Sequence, residues 1–172
     1  MRKEIYKGPI FTLEQFEVSI NGKKYLRDVL DHKAAVGILV KKDDKFIFVK
    51  QMRYGIMQKT LEIPAGLIDS DEDMYEASSR ELQEEIGLKP IKLEYFYSLY
   101  SVPAYCNEVV HLFYADKFTS SILPQDDDEQ IEIVKMTESE VLEELSKPNS
   151  LFDMKTVIAL QHYLLKIKPD KV

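Results

Sequence analysis

The chain opens on short runs in which apolar and polar residues alternate: Ile5-Tyr6, then Phe11-Thr-Leu-Glu-Gln-Phe-Glu-Val-Ser-Ile20. A period of two marks strands with one covered face. Asn21-Gly22 between two such runs reads as a hairpin turn, since both residues tolerate positive φ. Two or three antiparallel strands are therefore expected up to about Val29. Ala34 to Val40 is continuously apolar instead, as in a strand covered on both faces. Lys41 to Lys45 makes a turn, and Phe46 to Val49 returns as the partner strand, leading to Gln51-Met-Arg53-Tyr54. Thr60 to Ile63 is a short strand that Pro64 breaks.

The pattern then changes period. From about Asp73 to Ile86 there is no Pro or Gly, Ser70 or Asp71 offers a capping oxygen, and Gly87 stops the element, so a short helix is expected. Tyr75, Leu82 and Ile86 form its apolar stripe. Ile91 to Leu99 and Val109 to Phe118 read as strands on either side of the loop Tyr100 to Asn107. Ile131 to Val134 is a further strand, and Thr137 with Glu140 caps a helix through about Ser146. A last helix, from about Leu151 to Ile167, is expected to turn Val157, Ile158, Leu160, Leu164 and Leu165 toward the core. Strands, a helix, more strands and closing helices give an α+β arrangement in one or two layers.

The first helix carries the chemistry. Glu81, Glu84 and Glu85 stand at i, i+3 and i+4, so their carboxylates crowd one sector. Like charges at that spacing destabilise an isolated helix by about 0.2–0.5 kcal/mol per pair. Glu76 precedes Arg80 by four and Glu72 lies within its reach, so Arg80 is expected to serve structure and the cluster to take its counter-charge elsewhere. Carboxylate oxygens suit Mg²⁺ or Mn²⁺ better than zinc. A solvated acidic face is the competing reading.

Composition narrows the setting. A chain of 172 residues suits one domain with a sizeable core. The net charge of −7 argues against non-specific binding to nucleic acid. Cys106 is the single cysteine, which excludes an internal disulfide and a Cys-based zinc site and fits a reducing compartment. His32, His111 and His162 are too scattered to argue for zinc. No apolar run approaches membrane-spanning length, and Met1-Arg2-Lys3 is not followed by a signal-like apolar stretch, so a soluble cytoplasmic protein without a membrane partner is expected.

Gly66, Glu72, Arg80-Glu81-Leu82, Glu84-Glu85 and Gly87-Leu88 together fill every specified position of G-x5-E-x7-R-E-U-x-E-E-x-G-U, where U is apolar. On these residues the chain resembles the Nudix hydrolase family. The resemblance implies an α/β/α sandwich around a mixed sheet, of the α/β class, here with an extra N-terminal antiparallel β subdomain. It divides the chain into that subdomain (residues 1–30), which exchanges with a partner in a homodimer, and a Nudix hydrolase domain (residues 31–172). Leu61-Glu-Ile-Pro-Ala-Gly66 and Pro103, fifteen residues after Leu88, are similar to features of the ADP-ribose pyrophosphatase group. The loop Pro103-Ala-Tyr-Cys-Asn-Glu108 keeps the glutamate but not the Gly and Ser of that group's P-G-x-S-x-E.

The resemblance further implies that Glu81, Glu84, Glu85 and the carbonyl of Ala65 hold two or more Mg²⁺ or Mn²⁺ ions. It places a proton-accepting carboxylate in the acidic run Gln125 to Glu129, with Glu129 the first candidate and Asp127 the alternate. Arg27 and Arg53 match positions that contact phosphate or ribose. Glu62 accepts hydrogen bonds from ribose or from a neighbouring arginine, or simply forms an ion pair. Phe16 or Phe11 stacks on adenine, with core packing the alternative for at least one of them, and Pro103 and Glu108 line the sugar side. The expected reaction is hydrolysis of ADP-ribose or a related ADP-sugar to AMP and a sugar phosphate. Hydrolysis of another nucleoside diphosphate derivative, such as GDP-mannose, is one alternative. A nucleotide-sugar sensor that does not cleave its ligand is another, although such proteins commonly lose box carboxylates and all are present here.

Overall fold

A computed structural model describes residues 2–125 and 130–167. The alternating N-terminal runs form a separate antiparallel sheet of β1 (Lys3–Lys7), β2 (Phe11–Ile20) and β3 (Lys23–His32) in that order. Asn21 and Gly22 close the β2–β3 hairpin with φ of 52° and 76°, the pair of left-handed residues that matches strand twist. The sheet has little apolar cover, and Leu26 remains 63% exposed.

The main sheet begins with β4 (Ala35–Lys42), β5 (Lys45–Arg53), β6 (Gln58–Glu62) and β7 (Ala65–Leu67), followed by α1 (Met74–Glu85). After α1 come β8 (Leu88–Pro90), β9 (Glu94–Tyr100), β10 (Val109–Ala115), β11 (Phe118–Ser120), β12 (Glu132–Thr137), α2 (Glu138–Ser146) and α3 (Met154–His162). Five strands lie in the order β12-β5-β4-β10-β9, with β6 paired to β5 and β7 to β4. The β4–β10 pair is parallel and the other pairs of this sheet are antiparallel, so the sheet is mixed.

The apolar run in β4 divides its side chains between two cores. Val36, Ile38 and Val40 pack with Ala77 and Leu82 of α1 and with Phe113. Ala35 and Leu39 join Phe46, Phe48, Val141 of α2 and Ala159 and Leu160 of α3. Helices on both faces complete the α/β/α sandwich, and the N-terminal sheet is the expected addition to it. Burying side chains such as Phe46, Phe48 and Phe113 contributes about 1.5–3 kcal/mol each. Among the described residues no helix is long and apolar enough to cross a membrane.

Several local expectations are corrected. The cap of α1 is Asp73 rather than Ser70 or Asp71: its Oδ1 accepts from Tyr75 N–H at 2.7 Å and Glu76 N–H at 2.9 Å. Glu76 answers by accepting the Asp73 N–H at 2.9 Å, which spends it on the capping box rather than on Arg80. The strand expected from Ile91 starts at Glu94, and the one expected to reach Phe118 ends at Ala115. The last helix starts at Met154, where Asp153 caps it, and its final turn Tyr163–Ile167 is π-helical. That wider turn shifts the inward face onto Tyr163 and Ile167 and leaves Leu165 72% exposed.

Candidate active site

Pro64 ends β6, and the chain leaves β5 and restarts against β4 as β7. Residues 62–66 therefore form a short crossing between two strands, fixed by the Ile38 N–H donating to the Pro64 carbonyl at 2.8 Å. The carboxylates of α1 come up against this crossing. Glu85 is 3% exposed and its Oε2 accepts the Ala65 N–H at 3.1 Å. Gly66 makes room for Glu81: a Cβ there would lie 2.0 Å from Glu81 Oε1 and 2.1 Å from its carboxyl carbon. The first box glycine is thus a cradle for a box carboxylate.

Arg80 organises the rest of the box. Its Nε and Nη2 donate to Glu72 at 3.1 and 2.6 Å, Nη2 also to the Leu67 carbonyl at 2.9 Å, and Nη1 to Glu81 at 2.7 Å and Glu84 at 2.8 Å. The expectation that Arg80 serves Glu72 holds. Its separation from the acidic cluster does not, because two of the three cluster carboxylates share its Nη1. The hydrogen bonds to Glu72, together with the nearby Glu81 and Glu84, raise the Arg80 pKa against the cost of burial. The same contact holds Glu72 below the usual carboxylate range.

The donor chemistry fits a hard divalent cation: three carboxylates, two of them buried, beside the main chain where β7 begins. Among the described residues, however, no three acidic, His or Cys side chains already stand as a formed cage. Arg80 Nη1 already engages one oxygen of Glu81 and one of Glu84.

A second ionic cluster lies on the other side of residues 62–66. Glu62, 1% exposed, accepts from Arg53 Nε and Nη2 at 2.6 Å each and from Thr60 Oγ1 at 2.5 Å, and pairs with the Lys155 ammonium of α3. Lys155 also donates to Asp153. Burial pushes the Glu62 carboxyl up, but Arg53 and Lys155 outweigh it and hold the group at about 2. Arg53 is raised in turn by its hydrogen bonds to Glu62, and the charges of Asp153 and Glu85 add to the rise. Thr156, next to Lys155, accepts the Ile63 N–H at 2.8 Å. Of the residues expected at the site, Arg53, Glu62, Ala65, Glu81, Glu84 and Glu85 gather around the crossing. Thr60 joins them from two residues away on the same strand face, while Lys155 and Thr156 carry no local signature, each lying 93 residues from its partner.

The other candidates stand elsewhere. Arg27 donates to the Leu26 carbonyl at 2.8 Å and lies over the Tyr25 ring, while Phe16, its cross-strand neighbour, sits under Arg2. These contacts lie in the N-terminal sheet or directly beside it. Phe11 meets Tyr6 there at 6.4 Å. Pro103 is exposed in a turn, and Glu108 lies 3.7 Å from His32. This loop ties the two sheets together: Leu30 N–H donates to Tyr105 O at 2.7 Å, and Asn107 bonds both His32 N–H at 2.8 Å and Asp31 at 2.5 Å. Asp127 and Glu129 lie outside the described residues.

The chain is 33% identical over 171 residues to an ADP-ribose pyrophosphatase of Bacillus subtilis (strain 168), covering 96% of this chain and 91% of that protein. It is 29% identical over 168 residues to a methanol dehydrogenase activator of Bacillus methanolicus, covering 95% and 90%. The fold superposes on a crystal structure of an ADP compounds hydrolase with a TM-score of 0.88 at 24% identity, over 99% of this chain and 93% of the other. The NUDIX domain model matches residues 31–158, from the end of β3 into α3, and the chain belongs to the Nudix hydrolase family.

Proposed function

We propose that the protein is a divalent-metal-dependent hydrolase that splits the pyrophosphate bond of ADP-ribose or a related ADP-sugar, giving AMP and a sugar phosphate. The observation that carries this reading is the packing of Glu81 and Glu85 against Ala65 and Gly66 at the start of β7, with Glu84 beside them. The name of the Bacillus subtilis relative supports the substrate. Glu81, Glu84, Glu85 and the Ala65 carbonyl would hold Mg²⁺ or Mn²⁺. When bound, such an ion neutralises charge on the phosphoryl oxygens and lowers the pKa of a water.

The chain's own residues supply orientation and proton transfer. Glu62 fixes the Arg53 guanidinium, whose remaining donors suit a phosphate or ribose oxygen. Glu108 and Pro103 bound the sugar side. Glu129, with Asp127 as alternate, takes the proton of the attacking water. Arg27 and Phe16 complete a nucleotide site across a homodimer in which residues 1–30 act as an exchanged subdomain. The uncovered apolar side chains of the N-terminal sheet support that assembly. Free Cys106 suits a cytoplasmic, reducing setting.

The test is a substrate panel with Mg²⁺ and product identification, including GDP-mannose. AMP release from ADP-ribose is expected; its absence would discard the reading. The Bacillus methanolicus relative, named for activating another enzyme, favours a regulatory alternative, which would appear as tight binding of an ADP-sugar that stays intact on long incubation.

A further inference from the structure

Glu62 has two cationic partners, one on each side. Arg53 approaches from β5 through Nε and Nη2, which leaves Nη1 on the edge of the guanidinium facing away from Glu62. Lys155 approaches from the first turn of α3, with its side chain 16% exposed and Glu62's 2% exposed. Arg53 is the outer member of the three at 44% exposure. A buried carboxylate with a single cation cannot release that cation without being left uncompensated. With two, the outer one is able to offer its free edge to a ligand while the inner one, which also serves Asp153, remains.

We propose that Lys155 is a positioning residue: from α3 it keeps the buried Glu62 neutralised, so that Arg53 can give its donors to an anionic oxygen of the substrate. The ligand's identity rests on the function proposed above; the charge arrangement does not. Thr156 strengthens the geometry, because its hydroxyl holds the Ile63 N–H and so fixes Glu62 relative to the start of α3. Without Lys155, Arg53 becomes the sole counter-ion of Glu62 and is held to it, and ligand binding then competes with an internal ion pair.

The test compares wild type with Lys155→Met, Lys155→Arg, Glu62→Gln and the Glu62→Gln/Lys155→Met double variant. ADP-ribose affinity is measured calorimetrically with EDTA present to prevent turnover, and kcat and KM with Mg²⁺. Lys155→Met is expected to weaken affinity about tenfold and to raise KM similarly, with kcat within about threefold. Lys155→Arg, which keeps the charge, should recover affinity to within about threefold. In the Glu62→Gln background the lysine change should have no further effect, since no buried charge remains to be neutralised. Unchanged affinity in Lys155→Met, even with lowered stability, would overturn the proposal, as would an equal loss in the Glu62→Gln background. Should Lys155→Met fail to fold, Lys155→Gln, which keeps a donor without the charge, carries the same expectation. A wild type that ignores ADP-ribose would overturn the substrate reading instead. The same variants would then be read against inorganic pyrophosphate, and a wild type that does not bind pyrophosphate would overturn the Lys155 proposal as well.

Discussion

The two ionic clusters on either side of residues 62–66 are both built from carboxylates and basic side chains and differ in balance. On the α1 side one arginine, Arg80, serves Glu72, Glu81 and Glu84, with Glu85 buried beside them. On the α3 side two carboxylates, Glu62 and Asp153, meet two cations, Arg53 and Lys155. A balanced cluster satisfies itself and holds side chains in place. A cluster with surplus carboxylates is stabilised by an added cation, which is the electrostatic condition for metal binding. On the function proposed above, the acidic side is the one suited to an ion and the balanced side the one suited to orientation.

The largest effect should come from the acidic side. Glu85→Gln keeps shape and an acceptor for the Ala65 N–H but removes one charge, and kcat for AMP release should fall about 10²- to 10³-fold with the thermal midpoint little changed. Near-normal turnover in a folded variant would take Glu85 out of the site and erase the contrast between the clusters.

The balanced side should instead declare itself in acid. Glu62 is held at about 2, below its usual 4.5, so its contribution is fully present above about pH 4.5 and is lost as pH falls through about 2. The advantage of wild type over Glu62→Gln in urea unfolding should shrink across that window by about 3 kcal/mol. A constant difference from pH 5 to pH 2 would mean that Glu62 is not held as an ion by Arg53 and Lys155.

A smaller effect should follow from Arg80→Met. It strands Glu72, Glu81 and Glu84 together and should cost about 2 kcal/mol in urea unfolding, less than a fully buried pair because Arg80 is 27% exposed. Millimolar Mg²⁺ should restore part of that loss and raise the variant's thermal midpoint more than that of wild type. An identical Mg²⁺ response in both would mean that Arg80 and the ion do not compete for the same carboxylates.

These clusters also mark what the chain discloses in one dimension. The i, i+3, i+4 spacing of Glu81, Glu84 and Glu85, the hairpin at Asn21-Gly22 and the Thr137–Glu140 capping box are local, and each was readable because helix and turn geometry fixes neighbours a few residues apart. Glu76 is ambiguous for the same reason: both a cap at Asp73 and a pair with Arg80 satisfy local spacing, and the capping box wins because it satisfies backbone donors at the helix start. Lys155 and Thr156 were silent because their partners are reached only once α3 docks on β6, and no period in the sequence encodes that meeting. The tie from Asn107 to Asp31 and His32 is hidden in the same way.

The break at Pro64 has a consequence for distance. Since β6 ends and β7 begins within the same few residues, Glu62, which holds Arg53, and Ala65, whose N–H meets Glu85, stand on one continuous piece of backbone. The spacing of those two anchor points is set by bond lengths and dihedral angles, so each helix docks its own charges against a ruler of fixed length.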